Sequence, residues 1–202
     1  MKFFSNLCYL LLIIFFISCA TEKKEEPLSP AMQEKEIYDQ AQERIKSGNF
    51  SMAITSLETL EKRFPFGRYA QQAQAELIYA YYENGLYDAA VVSAERFISL
   101  HPRHPNTDYA YFMKGLAKFS KDRELLSSVP LLGDLTYKRD LTLAKESFDE
   151  LTEFITRFPE SSYTEDAKRR MLFLRDLIAK QEIEVAEFYI CLLYTSPSPR
   201  DS

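Results

Sequence analysis

An all-α fold made of repeated helix pairs is predicted by three observations. Segments of the chain align with one another at a spacing of 37 residues, each segment carries apolar residues at helical spacing, and the same punctuation of glycine, alanine and proline recurs. Gly48-Asn49-Phe50 matches Gly85-Leu86-Tyr87, Ala53 matches Ala90, and Arg63-Phe64-Pro65 matches Leu100-His101-Pro102. A third copy ends in Arg157-Phe158-Pro159, with Phe148, Leu151 and Phe154 where the first has Ile54, Leu57 and Leu60.

Each unit reads as two antiparallel helices. The glycine ends the first, the small alanine lets the second approach closely, and the proline stops it. This is the tetratricopeptide pattern, whose usual period is about 34 residues. The extra positions fall after the proline, in Phe66-Gly67-Arg68 and Arg103-His104-Pro105. First helices are expected near 34–47, 71–84, 108–121 and 162–179, and second helices near 50–63, 87–99, 140–157 and 181–190. The expected domain is thus a tetratricopeptide-type helical repeat solenoid of about four helix pairs over residues 34–190. An apolar insertion, Asp122 to Arg139, interrupts the third unit; it either folds back over its helix pair or docks a partner.

Composition narrows the function. The formal charge is -5, from 30 acidic and 25 basic residues interleaved along the chain, so no basic stripe awaits a phosphate backbone and nucleic acid is not expected as a partner. The cysteines are Cys8, Cys19 and Cys191, which leaves the repeat region no pair to bridge.

The first residues read as a leader. Lys2 opens a short basic region, an apolar run from Leu7 to Ile17 follows, and Ser18-Cys19-Ala20 closes it. The run is short for a membrane span, which needs about 20 apolar residues. Phe16-Ile17-Ser18-Cys19 resembles a lipobox, with Phe16 where leucine is usual; the plainer alternative is an ordinary signal peptide with a chance cysteine. Residues 1–18 are expected to be the signal peptide. Residues 19–33, polar and proline-bearing, are expected to be a tether lipidated at Cys19 through diacylglycerol and an N-acyl chain, palmitate included. No other cofactor is expected. Ala20 after the cysteine, where lipoproteins kept in the inner membrane have aspartate, implies the periplasmic face of the outer membrane.

The inner surface of such repeats is lined by positions 2, 5, 9, 12 and 13 of each first helix. Numbered from Glu34, Gln71 and Asp108, this places Tyr38 and Ile45, Tyr79 and Tyr82, then Tyr109, Phe112, Leu116 and Phe119 on it. A ring-lined concavity suits an extended peptide ending in an aromatic residue. The bland alternative for any one ring is packing between neighbouring helices.

The lipobox, the Phe-Pro register, Lys62-Arg63-Phe64-Pro65 with Phe66-Gly67 and Tyr69, and the stretches Ser161 to Met171 and Val185 to Tyr189 together resemble the BamD family of outer-membrane assembly lipoproteins. The resemblance covers roughly Cys19 to Tyr189. It implies a subunit of the machine that inserts β-barrel proteins. Its implied partners are a BamA-type barrel subunit, other lipoproteins of the machinery, and the C-terminal signals of unfolded outer-membrane β-barrel clients. Family members continue through a further repeat. Here helix-compatible sequence is expected to stop at Ile190, and the tail Cys191 to Ser202 to fit neither period nor fold.

No enzymatic chemistry is expected. His101 and His104 sit in a His-Pro-Arg-His-Pro turn without cysteine or paired carboxylates, and no phosphate-cradling glycine loop or nucleophile elbow occurs. Two competing readings are a repeat lipoprotein that organises cell-wall complexes, and a wall hydrolase with its catalytic domain beyond Ile190.

Overall fold

The structure, a computed structural model, describes residues 29–127 and 141–195. Among these residues the secondary structure is helical throughout: α1 (Pro30–Lys46), α2 (Phe50–Arg63), α3 (Ala70–Glu83), α4 (Tyr87–Leu100), α5 (Thr107–Ser127), α6 (Thr142–Arg157) and α7 (Thr164–Thr195). The repeats lie in one compact unit, Glu34–Ser202; of the other, Met1–Gln33, the described part is Ser29 and the opening turn of α1. The leader, Cys19 and most of the tether lie outside the described residues, as do 128–140 of the insertion and 196–202 of the tail.

The predicted punctuation is what ends the helices. Gly48 and Gly85 have φ of 73° and 74°, a left-handed conformation that only glycine adopts without steric cost. Asn49 N–H donates to the Arg44 carbonyl at 2.8 Å and Gly48 N–H to that of Ile45 at 3.0 Å. Leu86 and Gly85 repeat the pattern onto Tyr81 and Tyr82 at 2.9 and 3.0 Å, so both first helices close in the same Schellman motif. The second helices stop one residue before proline. Phe64, His101 and Phe158 share a φ near -130° and donate N–H bonds of 2.8 Å to the carbonyls of Leu60, Phe97 and Phe154. The following proline pushes these residues out of helical geometry. The chain then re-enters helix through a shared turn, in which Thr107 and Thr164 hydroxyls cap the carbonyls of His101 and Phe158 at 2.9 and 3.0 Å.

Packing follows the repeat. Each helix from α2 on leans mainly on the next in sequence, and the first helices also touch one another, α3 with α5 and α5 with α7. Ala53, Ala90 and Ala144 are fully buried where the second helices press closest. Leu57 and Leu60, Ala94 and Phe97, and Leu151 and Phe154 hold equivalent core positions in α2, α4 and α6. A half-buried ion network ties the third pair to α4: Lys114 meets Glu150 at 2.7 Å and Glu95 at 3.6 Å, while Lys118 meets Glu150 at 3.0 Å and Glu146 at 3.2 Å. Burial works against the Lys118 charge, but the hydrogen bonds it donates to Glu150 and Glu146 prevail and raise its pKa.

Four expectations need correction. The tether was expected to reach residue 33, but helix begins at Pro30: Ser29 accepts the Met32 N–H, and proline suits the first helical position because its missing donor is not needed there. The helices expected at 162–179 and 181–190 are one, α7, since Ala179-Lys180-Gln181-Glu182 contains only strong helix formers and nothing to stop the chain. That helix runs on through Thr195, so the first five tail residues continue it rather than breaking with the fold. The insertion likewise opens in helix, because α5 extends to Ser127.

Gly115 marks the closest approach of α5 and α6. A Cβ there would lie 2.7 Å from Leu151 Cδ2, and the buried Ser147 hydroxyl donates to the Gly115 carbonyl at 3.0 Å. Alanine would gain about 1 kcal/mol of helix propensity, but overpacking of this kind costs about 1–3 kcal/mol. Gly115→Ala is therefore expected to lower the urea midpoint with an unchanged m-value; a raised midpoint would refute the close packing.

Candidate functional site

An open groove of about 510 Å³ is the candidate site. Gln42 and Ile45 of α1 form one wall; Gln72, Ala75, Glu76 and Tyr79 of α3 form the floor. The far side comes from Pro105 and Asn106, Asp108 and Tyr109 of α5, and Ser162 and Tyr163 ahead of α7. Four successive first helices or their leading turns thus converge on one space.

The sequence-expected rings divide between groove and core. Tyr79 and Tyr109 line the groove, with Ile45. Tyr38 stands beside it, stacked on Tyr69 at 4.5 Å, and its hydroxyl donates to Glu76 Oε1 at 2.8 Å. Tyr82 packs between helices, its hydroxyl 2.9 Å from Ser120 Oγ. Phe112, Leu116 and Phe119 were expected on the inner surface and are buried instead. Phe112 stacks on Tyr163 at 5.0 Å and tilts against Phe154, while Phe119 meets Phe173 edge-on at 5.8 Å and lies under the Arg170 guanidinium. Helix α7 and its leading turn cover this face of α5, so these residues serve the core.

The polar lining was missed because aromatics alone were selected. Gln42 and Gln72 occupy the same inner positions as the tyrosines, and Tyr163 follows when the count is extended to a fourth helix starting at Ser162. Glu76 organises the floor. Its carboxylate accepts from Tyr38, from Gln72 at 2.8 Å and from Gln42. Asp108 accepts from the Tyr109 N–H and the Ser161 hydroxyl, each at 2.7 Å.

Burial, then the neighbouring Tyr163, Tyr79, Glu76 and Glu83, pushes the Tyr109 hydroxyl well above its ordinary pKa. Burial and then Glu83 raise Tyr79 more modestly, and burial with the Glu76 hydrogen bond raises Tyr38 strongly. The two histidines are structural: His101 Nε2 lies 2.8 Å from Gln74 Oε1, His104 Nδ1 accepts the Asn106 N–H at 3.1 Å, and both rings pack on Phe97. Burial, then His104, lowers the His101 pKa. Among the described residues no group of three His, Cys, Asp or Glu could hold a metal, and no helix is long and apolar enough to cross a membrane.

A family model described as YfiO, outer membrane lipoprotein, matches residues 30–193. The chain belongs to this family. Every groove residue falls inside the span matched by the YfiO model. The outer membrane protein assembly factor BamD of Neisseria meningitidis serogroup B is 36% identical over 176 residues, which cover 86% of this chain and 65% of that protein. The Vibrio cholerae protein of the same name is 34% identical over 187 residues, covering 93% and 76%. The chain therefore spans 65% of the length of its neisserial relative. A crystal structure of TPR-like repeats from a Podosopora anserina putative kinesin light chain gives a TM-score of 0.42 at 18% identity, covering 88% of each chain.

The raised tyrosines carry a pH consequence. A hydroxyl whose pKa is higher folded than unfolded contributes stability that is complete below its unfolded value, near 10, and is lost as pH rises through the folded value. Tyr38 and Tyr109 are thus expected to ionise only as the fold weakens above about pH 10. Absorbance at the tyrosinate band and far-UV circular dichroism should change together for these residues, and Tyr109→Phe should remove part of the tyrosinate step; full ionisation near pH 10 with helices intact would contradict the burial.

Proposed function

We propose that this chain is a lipid-anchored scaffold for outer-membrane protein assembly, holding extended segments of unfolded β-barrel clients in the groove and meeting a BamA-type barrel subunit and other lipoproteins through its remaining surface. The relatives that carry the name assembly factor support the process. The observation that carries the mechanism is the groove itself, where Tyr79, Tyr109 and Tyr163 come together from three different elements.

Work of this kind is non-covalent. Tyrosine rings supply large contact area at little entropic cost, and hydroxyls and carboxamides can bind a peptide backbone that has no partner of its own while unfolded. Burying one aromatic side chain contributes about 1.5–3 kcal/mol, so useful affinity needs several contacts and a groove long enough to make them. Client C-terminal signals, which end in an aromatic residue, are the segments that this reading favours. The anchor is Cys19. Several acyl chains on one cysteine, at about 0.8 kcal/mol for each buried CH₂, would hold the scaffold at the membrane permanently.

Tyr79→Ala combined with Tyr109→Ala is expected to weaken binding of a client C-terminal peptide at least tenfold in fluorescence anisotropy, with helical content preserved. Unchanged affinity in a folded variant would end the groove reading. For the anchor, labelled palmitate should enter the wild-type chain, and Cys19→Ala should release it from the membrane fraction; a variant that stays bound would show another mode of attachment.

A further inference from the structure

What the groove selects is decided by the charge of its walls. Among the described residues two carboxylates line it, Glu76 of α3 and Asp108 of α5, and no lysine or arginine does. Both are held by neutral partners: Glu76 by Tyr38, Gln72 and Gln42, and Asp108 by the Tyr109 N–H and the Ser161 hydroxyl. Neutral donors fix the oxygen positions but leave the charge uncompensated. The effect reaches into the groove, since Glu76 and Glu83 both act to raise the Tyr109 hydroxyl. The rings of Tyr79, Tyr109 and Tyr163 share this space, and aromatic rings attract cations through their quadrupole. Carboxylates, carboxamides and tyrosines around an open, cation-free space are complementary to a positive side chain carried on an extended backbone.

We infer that the groove takes an arginine or lysine side chain of the bound segment, flanked by its aromatic residues, and keeps a chain-terminal carboxylate out. This rests on the peptide-holding reading and narrows it. A carboxylate entering between Glu76 and Asp108 would meet like charges, since Arg157, which shares the adjoining cavity with Asp108, is stacked on Tyr111 and Phe158 and is not part of the groove lining, whereas a guanidinium matches carboxylate geometry with its planar fork of donors. In a client terminal signal, the aromatic end would then lie along the rim while a basic residue nearby occupies the floor.

The test uses the full chain and three labelled probes: an amidated heptapeptide with a central arginine between phenylalanine and tyrosine, its neutral citrulline counterpart, and the arginine peptide with a free terminal carboxylate. At low ionic strength the arginine peptide is expected to bind about tenfold tighter than the citrulline peptide, and no more weakly than its own free acid. In the variant Glu76→Gln with Asp108→Asn the affinity ratio between the arginine and citrulline peptides should fall from about ten to about one, with far-UV circular dichroism reporting an intact fold; a ratio that stays near ten in the folded variant would overturn the charge selection. Equal affinity for arginine and citrulline, or a preference for the free acid, would overturn the charge selection and leave the peptide-holding reading standing. Failure of all three probes to bind would overturn both.

Discussion

The arrangement depends on one coupled position in each second helix. Leu60, Phe97 and Phe154 are buried against neighbouring helices, and their carbonyls accept the last helical N–H from the residue ahead of each proline. Tertiary burial and the local helix stop therefore act on the same residue. A single helix pair offers little against which to bury such a side chain, so stacked neighbours must supply the cover. That requirement sets the stride, and the stride places four first helices where their leading turns can share a groove.

How much of this was legible depended on punctuation. Helix α2 matches its expected limits, and α3 and α4 differ from theirs by a residue, because glycine and proline act through backbone geometry that needs no tertiary context. Where punctuation is absent the reading slipped: α7 runs through a break that periodicity alone had suggested, and α5 runs into the insertion. The groove shows the complementary limit. Helical period says which face of α5 carries Phe112 and Phe119, but whether that face meets solvent or another helix is decided by α7, a long-range partner. Tyr79 and Tyr109 were legible because their face keeps an opening to the groove even though Tyr109 is largely buried beside Tyr163, and Gln42 and Gln72 were passed over because their chemistry was less conspicuous than their position.

Charge is distributed by the same geometry. Around α5 and α6, Lys114, Lys118 and Glu150 compensate one another at the edge of the core. Half-buried pairs of this kind add little net stability but disfavour a shifted helix register, since a slip would strand a charge. In the groove Glu76 and Asp108 make no ion pair among the described residues and are steadied by neutral donors instead. One face thus spends its charges on holding helices in place, and the other leaves them available.

Chain topology has a mechanical corollary. Because each helix from α2 on leans chiefly on its neighbours in sequence, strain at one junction need not melt the whole array. The groove straddles several junctions, so its width is a sum of the rotations between successive units, and a small change at each would add into a larger change across the groove. On the proposed function, clients of differing girth would be met by adjustment between units, with Tyr79 and Tyr109 each remaining fixed on its own helix.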